Sequence, residues 1–425
     1  MNSVFTIVAK NYLSFALTLG DSLKLVEKDL DFYIFIADDI ERVPSEYANK
    51  HNIIIADETI VPNHLELRFK YNVIEYSTAI KPFVFSYLFN NYNYQKIIYS
   101  DPDIYFYQSP SKIYNLLDNN FCVLTPHIID VATAHKSEAT DVGLLFAGIF
   151  NLGFIALRKS DNSAIFLNWW QERLKNYCYG DRLENLHTDQ KWIDFVPSLF
   201  REGVHISDNK GFNIAYWNIH ERELIEVENL LKLIAANNEA VTFLHFSGNN
   251  PLNILVNKQC KNLNIHNYPV WKKYIVEYGK MVMNNGFEIL IQLPYTYNTF
   301  ENGETISALH RRMYRKLKEL NKTNIYDNPF GTGKNSFYEL LNQNNLLVGK
   351  EKAVIDFKDE GETAVSSKFK NVFRTLRLLK KILGIKKYST LIRAFQKLFT
   401  NENQVLLIKE MENDFLKHYI QKISN

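Results

Sequence analysis

A chain of 425 residues with 46% hydrophobic and 23% charged residues has the composition of a globular protein with enough apolar material for two or three domains. Its formal net charge of +2 argues against a nucleic-acid partner, and no window of about 18 apolar residues offers a transmembrane helix. Cys122, Cys178 and Cys260 stand far apart and make no metal-binding pair, which fits a reduced, cytoplasmic compartment; the N-terminus has no charged stretch leading into an apolar one, so no signal peptide is expected.

The first half alternates short apolar runs with helical periodicity. Ser3 to Ala9 reads as a buried strand, Ser14 to Glu27 as a helix, Phe32 to Ala37 as a second strand and Ile53 to Ala56 as a third. Ser77 to Phe89 reads as a helix with an apolar face, followed by strands over Lys96 to Ser100, Phe121 to Leu124 and Ile149 to Leu157. This alternation predicts an α/β fold with a largely parallel sheet, whose ligands sit beyond the carboxyl ends of strands. After about residue 260 the periodicity becomes helical, over 268–285, 306–320, 335–345, 368–398 and 402–422. A loop is expected at 321–334 and a polar linker at 355–367.

The segment IIYSDPDIYFY, residues 97–107, runs an apolar strand into Asp101 and Asp103, with Pro102 stiffening the turn between them. Closely spaced carboxylates are oxygen ligands for a hard divalent cation, and such a cation can neutralise a diphosphate leaving group. An isolated Asp-x-Asp is more often a solvated turn. Upstream, Lys81 sits on the predicted helix, where it is either an exposed lysine or a point charge for a phosphate. Downstream, in FLHFSGNNP, His245 follows an apolar strand and precedes Gly248. A lone histidine there is a core residue satisfied by backbone, or the imidazole that completes an Asp/Asp site; Gly248 would let backbone N–H groups approach a diphosphate.

These segments together resemble the GT-A-fold nucleotide-diphospho-sugar transferases, in particular glycosyltransferase family 8, the group of glycogenin and the bacterial lipooligosaccharide galactosyltransferases. The resemblance covers about residues 3–252 and keeps the family's order: FTIVAKNYLSFALTLGDSLK (5–24), TAIKPFVFSYLFNNYNYQKIIYSDPDIYFYQSP (78–110), FNLGFIALRKSD (150–161), HTDQKWID (187–194) and HFSG (245–248). It implies a mostly parallel sheet flanked by helices over 1–260, and a mainly helical domain over 261–425 with an acceptor, oligomer or membrane-surface role. It implies Tyr12 against a nucleobase, Lys81 at the diphosphate, Asp101 at the ribose and metal, and Asp103 with His245 on the metal. Asn151 and Gly153 would line the sugar pocket, and Asp189 and Gln190 would flank the anomeric carbon. The activity implied is a metal-dependent transfer from a nucleotide sugar, with UDP the default base and Mn²⁺ or Mg²⁺ the cation; mixed Asp/His ligation leans towards Mn²⁺. The family retains anomeric configuration, and because a carboxamide is a poor nucleophile, front-face attack is the favoured route.

The chain departs from the family in two places. After His-x-x-Gly it reads Asn249, Asn250, Pro251, without the family's lysine for the terminal phosphate, and Ala9 stands where relatives often carry Asn near the base. In KGFNIAYWNIHER (210–222), Tyr216, Trp217, Asn218 and His220 suit an acceptor sugar, and equally suit a packed loop with satisfied polar groups. Residues 210–222 and 294–317 also look like bacterial GT-A proteins of polysaccharide and lipopolysaccharide clusters, so the acceptor expected is a glycan, a lipid-linked sugar or a glycoprotein. Residues 368–397 hold ten Lys/Arg and no Asp or Glu. That is either an amphipathic helix packed on the second domain or a peripheral contact at the inner face of a membrane. Rival readings are a sugar nucleotidyltransferase, which would announce a Gly-rich phosphate loop where Lys10-Asn11-Tyr12-Leu13 stands, and a non-catalytic nucleotide- or glycan-binding protein.

Overall fold

The computed structural model describes the chain except residues 134, 135, 138, 229, 235–238, 261–262, 321–327, 350–361, 412–413, 415–416 and 418–425; the side chains of 362–371, 373 and 397 also lie outside the description. The chain divides into two compact units, Met1–His64 with Val73–Thr296, and Leu65–Asn72 with Tyr297–Asn425.

The first unit is built on strands β1 (Asn2–Val8), β2 (Asp31–Ile36), β3 (Asn52–Ile55), β4 (Lys96–Ser100), β5 (Ile104–Phe106), β6 (Cys122–Pro126) and β7 (Phe150–Arg158). The central sheet has seven strands in the order Val204–Ile206, β6, β7, β4, β1, β2, β3. All neighbours pair in parallel except β7, which runs antiparallel to both β4 and β6. It is thus a mostly parallel sheet, and its central strands β1, β4, β6 and β7 read as continuous apolar runs because both their faces are covered. Helix α1 (Leu13–Val26) lays Leu13, Ala16, Leu17, Leu19 and Leu23 into the core beside Val4, Ile34 and Ile98.

Two features place the site. The strand order changes direction between β4 and β1, whose ends form the kind of crevice where ligands settle in open α/β sheets. Strand β5 leaves the main sheet and pairs antiparallel with Phe243–His245, in the register Phe106↔Phe243, Tyr105↔Leu244 and Ile104↔His245. The Phe246 N–H then donates to the Asp103 carbonyl at 2.8 Å. This short ribbon closes a sequence separation of well over a hundred residues and sets His245 beside the Asp-Pro-Asp turn.

The expected single helix over Ser77 to Phe89 is two, Val73–Ala79 and Lys81–Asn91, broken at Ile80 ahead of Pro82, which has no N–H to give and suits a helix start. The helix Pro269–Asn284 falls in the first unit: Trp271, Tyr274, Ile275, Tyr278 and Val282 pack on Phe246 and Leu244, and the units divide after Thr296 where about 260 was expected.

The second unit gathers Phe69, Phe300, Ile306, Met313, Tyr314, Leu317, Phe330, Phe337 and Leu341 into one core. Helix Ala308–Glu319 starts at a capping box, with the Ser307 hydroxyl accepting from the His310 N–H. Arg311 holds the segment Leu65–Asn72, donating to the carbonyls of Arg68, Phe69 and Tyr71 at 2.9, 2.9 and 2.7 Å. The helix expected over 402–422 is replaced, among the described residues, by 3₁₀ turns at Glu402–Leu407 and Lys409–Met411, which bury Val405 and Ile408 three residues apart. Of the linker expected at 355–367, residues 355–361 lie outside the described residues and the remainder begins the helix Glu362–Leu398. Within that helix Gly384 has φ 70°, so it is two helices joined at a kink. From Val372 to Leu398 none of the described side chains is buried, and Leu378, Ile382 and Ile385 are each more than half exposed.

Candidate metal and nucleotide site

The Asp-Pro-Asp turn caps strand β4. The Asp101 N–H donates to the Gly153 carbonyl on β7 at 2.7 Å, and the Ile104 N–H to the Asp101 carbonyl at 3.1 Å, which fixes the turn. The buried Tyr99 hydroxyl donates to Asp101 Oδ1 at 2.5 Å; burial first, and then the Asp101 charge, push that phenol well above its ordinary value and keep it a donor. Asp101 Oδ2 is left facing His245 Nε2 at 3.9 Å, and Asp103 Oδ1 stands 3.1 Å from the same nitrogen. One ligand atom from each of Asp101, Asp103 and His245 lies within 4.8 Å of the others. Ligands on opposite sides of a small divalent cation at about 2.1 Å are about 4.2 Å apart, so slight side-chain movements would close this trio on an ion.

The chemistry of the trio fits such an ion. Two carboxylates and an imidazole suit a first-row divalent metal. The space between them is kept open by Gly153: a Cβ there would lie 2.4 Å from His245 Cε1 and 2.9 Å from both Asp101 Oδ2 and Asn151 Oδ1. The His245 ring is fully buried, which works against its charged form, but Asp103 and then Asp101 outweigh that and hold its pKa above the ordinary value. A proton and a cation therefore compete for the same place.

Beside the two acids opens a cavity of about 320 Å³, walled by Val8, Ala9, Tyr12, Ile74, Thr78 and Tyr99. That volume lies in the range of small-molecule sites. Tyr12 is 43% exposed and stacks on Phe15, ring centroids 4.6 Å apart, so one face of a flat, preorganised aromatic is available. Lys10, next in the chain to Ala9, is committed elsewhere: its ammonium meets Asp39 and Thr296, each at 2.6 Å.

Lys81 is not an exposed helix lysine. It is 2% exposed, its ammonium lies 2.8 Å from Asp189 Oδ2, donates to the Leu152 carbonyl at 2.8 Å, sits over the Tyr99 ring at 4.3 Å and lies 3.9 Å from Asp101 Oδ1. The Lys81–Asp189 contact is Coulombic rather than a well-aligned hydrogen bond. Burial raises the Asp189 pKa, and Lys81, immediately behind Asp101, opposes the rise without cancelling it. Gln190 is also held by framework: its Oε1 accepts from the Leu152 N–H and its Nε2 donates to the Ala147 carbonyl, both at 2.9 Å. Asn151 is buried, and its Oδ1 accepts from the Gly153 N–H at 3.2 Å.

Gly248 adopts φ +76°, a backbone conformation that favours glycine, and a Cβ there would lie 2.6 Å from Asn257 Oδ1. Its carbonyl accepts from the Lys258 N–H at 2.9 Å, so it starts the hairpin of Asn249–Asn250 with Asn253–Asn257. Of the four expected acceptor residues, Asn218 is wholly buried and spent on its own loop: its Nδ2 donates to the carbonyls of His127 and Asn213, and its Oδ1 accepts from the Ala215 N–H. Trp217 is buried edge-on to His245, centroids 5.2 Å apart, with Tyr216 set across it. His220 lines a different cavity, of about 330 Å³, with Tyr268 and Trp271, and among the described residues neither of its ring nitrogens has a hydrogen-bond partner. The structure thus brings Asp101, Asp103, His245, Lys81, Asp189, Asn151 and Gly153 together, and puts His220 elsewhere.

Sequence reasoning missed Asn213 and His127. Asn213 is wholly buried with φ +54°, and its Oδ1 lies 3.1 Å from His245 Nδ1. Its only signal is its place in the polar-aromatic stretch 210–222.

No family model matches the chain. It is 28% identical over 247 residues to the uncharacterized protein YfnF of Bacillus subtilis (strain 168), across 57% of this chain and 80% of that protein. Among solved structures it is similar to an active-site mutant of LgtC, with 17% identity and a TM-score of 0.39 over 66% of this chain and 95% of that one. It is also similar to the glycosyltransferase GlyE of Streptococcus pneumoniae TIGR4, with 15% identity and a TM-score of 0.37 over 73% and 72%. Mouse xyloside xylosyltransferase 1 matches at 16% identity and a TM-score of 0.35, over 58% and 97%.

Proposed function

We propose that this chain is a metal-dependent glycosyltransferase that moves a sugar from a nucleoside-diphosphate donor, UDP-linked by default, to a glycan, lipid-linked or glycoprotein acceptor with retention of configuration. The observation that carries the reading is the convergence of Asp101, Asp103 and His245 on one point beside a cavity floored by Tyr12 and Ala9. Asp101, Asp103 and His245 would hold Mn²⁺ or Mg²⁺, which when bound supplies positive charge to a departing diphosphate. Tyr12 would take the nucleobase on its free face, an interaction that any flat base satisfies. Asp189, paired with Lys81, would accept hydrogen bonds from donor-sugar hydroxyls. The Gln190 amide, pinned at both ends, would hold the strand that carries Asn151 and Gly153 at the sugar rather than enter the reaction as a nucleophile.

The test is release of nucleoside diphosphate from a panel of nucleotide sugars, with and without Mn²⁺. Release from one donor, dependent on the cation and accelerated by an acceptor glycan, is expected. Nucleotide binding that ignores the cation, with no release from any donor, would leave a binding module instead.

The basic helix supports a membrane-side acceptor. Its apolar residues Leu378 and Ile382 are exposed on one face, flanked by Arg374, Arg377, Lys380 and Lys381. Each such cation near an anionic surface contributes about 1 kcal/mol. The full chain is expected to sediment with vesicles containing phosphatidylglycerol and not with neutral vesicles, and to be released when Lys380 and Lys381 are replaced by glutamate. Equal sedimentation of both proteins would remove the membrane from the account.

A further inference from the structure

His245, Asn213, Asn151 and His127 form a chain of four buried polar side chains drawn from four separate segments. Its direction can be read from the backbone groups that meet it. The Ile149 carbonyl can only accept, and it lies 3.1 Å from His127 Nδ1, so that nitrogen carries a hydrogen and the other, Nε2, accepts. The Gly153 N–H can only donate, so the Asn151 atom it meets at 3.2 Å is oxygen, and the Asn151 Nδ2 then faces His127 Nε2 at 3.4 Å as donor. The Asn213 atom 3.1 Å from that same Asn151 oxygen must be Nδ2, which also donates to Thr125 Oγ1 at 2.8 Å. What Asn213 turns towards His245 is consequently its oxygen, 3.1 Å from Nδ1. Every link points the same way, and each amide orientation is forced by a neighbour rather than chosen.

We propose that Asn213 is a positioning residue that selects the Nδ1–H form of His245, so that the Nε2 lone pair faces Asp101 and Asp103 as a metal ligand. This rests on the trio being a cation site; the direction of the chain does not. A neutral imidazole has one N–H and one lone pair, and the partner of the first decides where the second points. Without the Asn213 oxygen the ring can place its hydrogen on Nε2 and spend it on Asp103, which opposes the cation. Asn151 thereby acts at two removes: its oxygen fixes the Asn213 amide, and its nitrogen is held by His127. Burial keeps His127 neutral, its pKa lowered to about 4, so the far end does not reverse.

The experiment reads tautomers and affinity, not turnover. Long-range ¹H–¹⁵N correlation spectra of the chain saturated with diamagnetic Mg²⁺ should show His127 and His245 both in the Nδ1–H form. Asn213→Leu, which removes the acceptor, should move His245 towards Nε2–H and weaken Mn²⁺ binding by about 10–100-fold in calorimetry. Asn213→Asp keeps an oxygen at Nδ1 and should keep both the tautomer and the affinity to within about threefold, even where it lowers thermal stability. The wild-type spectrum and the aspartate variant decide the matter if the leucine variant does not fold. An Nε2–H His245 in the wild type, unchanged tautomer and affinity in the leucine variant, or equal losses in the leucine and aspartate variants would each overturn the proposal. A wild-type chain that binds neither Mg²⁺ nor Mn²⁺ would overturn the cation reading, and with it the purpose assigned to Asn213.

Discussion

Replacing Lys81 by methionine is expected to destabilise the first unit by about 3–5 kcal/mol, the usual consequence of leaving one member of a buried ion pair without its partner. Lys81 and Asp189 are both 2% exposed and lie 2.8 Å apart, so Asp189 would keep its charge without solvent or counterion, or take up a proton. A lysine that served only to grip a diphosphate would behave in the opposite way: donor affinity would fall and the urea midpoint would stay. The double variant Lys81→Met with Asp189→Asn is expected to recover a good part of the loss, because the uncompensated charge goes with it. Urea denaturation followed by circular dichroism separates the outcomes, and an unchanged midpoint in Lys81→Met would show that the pair does not hold this part of the fold.

Asp103→Ala is expected to leave folding intact and to abolish cation-dependent turnover. The Asp103 side chain is partly exposed and, among the described residues, its ion pair is with His245, so little packing depends on it. Removing it also relieves the repulsion between two like charges in one turn. What disappears is an oxygen ligand and the charge that favours a cation in this place. A bound cation's stabilisation of a leaving group is worth several kcal/mol, on the order of a thousandfold in rate. A variant that unfolds would assign Asp103 to structure, and one that turns over normally would remove it from the site.

The strands of the central sheet were legible because β1, β4, β6 and β7 are buried on both faces and therefore read as unbroken apolar runs. The Asp-Pro-Asp segment was legible because a strand must end where two carboxylates meet a proline. His245 could be suspected from type and spacing, but its approach to Asp103 depends on the β5 ribbon, a long-range pairing that no local pattern announces. The pairing of Lys81 with Asp189 was hidden for a related reason: helix periodicity tells which side of a helix a residue occupies, and not that a carboxylate from a segment a hundred residues on will be buried against it. The same holds for Leu65–Asn72, which reads as part of the first half and packs Phe69 into the core of the second unit. Asn213 was invisible because one buried asparagine in a loop looks like any other until its hydrogen bonds are traced.

The most direct measurement is calorimetric titration of the full chain with Mn²⁺ in the presence and absence of UDP, beside the Asp103→Ala and His245→Ala variants. One Mn²⁺ per wild-type chain is predicted, bound more tightly with UDP present and weakened at least about a hundredfold in both variants. Wild-type protein that takes up no Mn²⁺ even with UDP, or variants that bind it as the wild type does, would contradict a cation held between these acids and this imidazole.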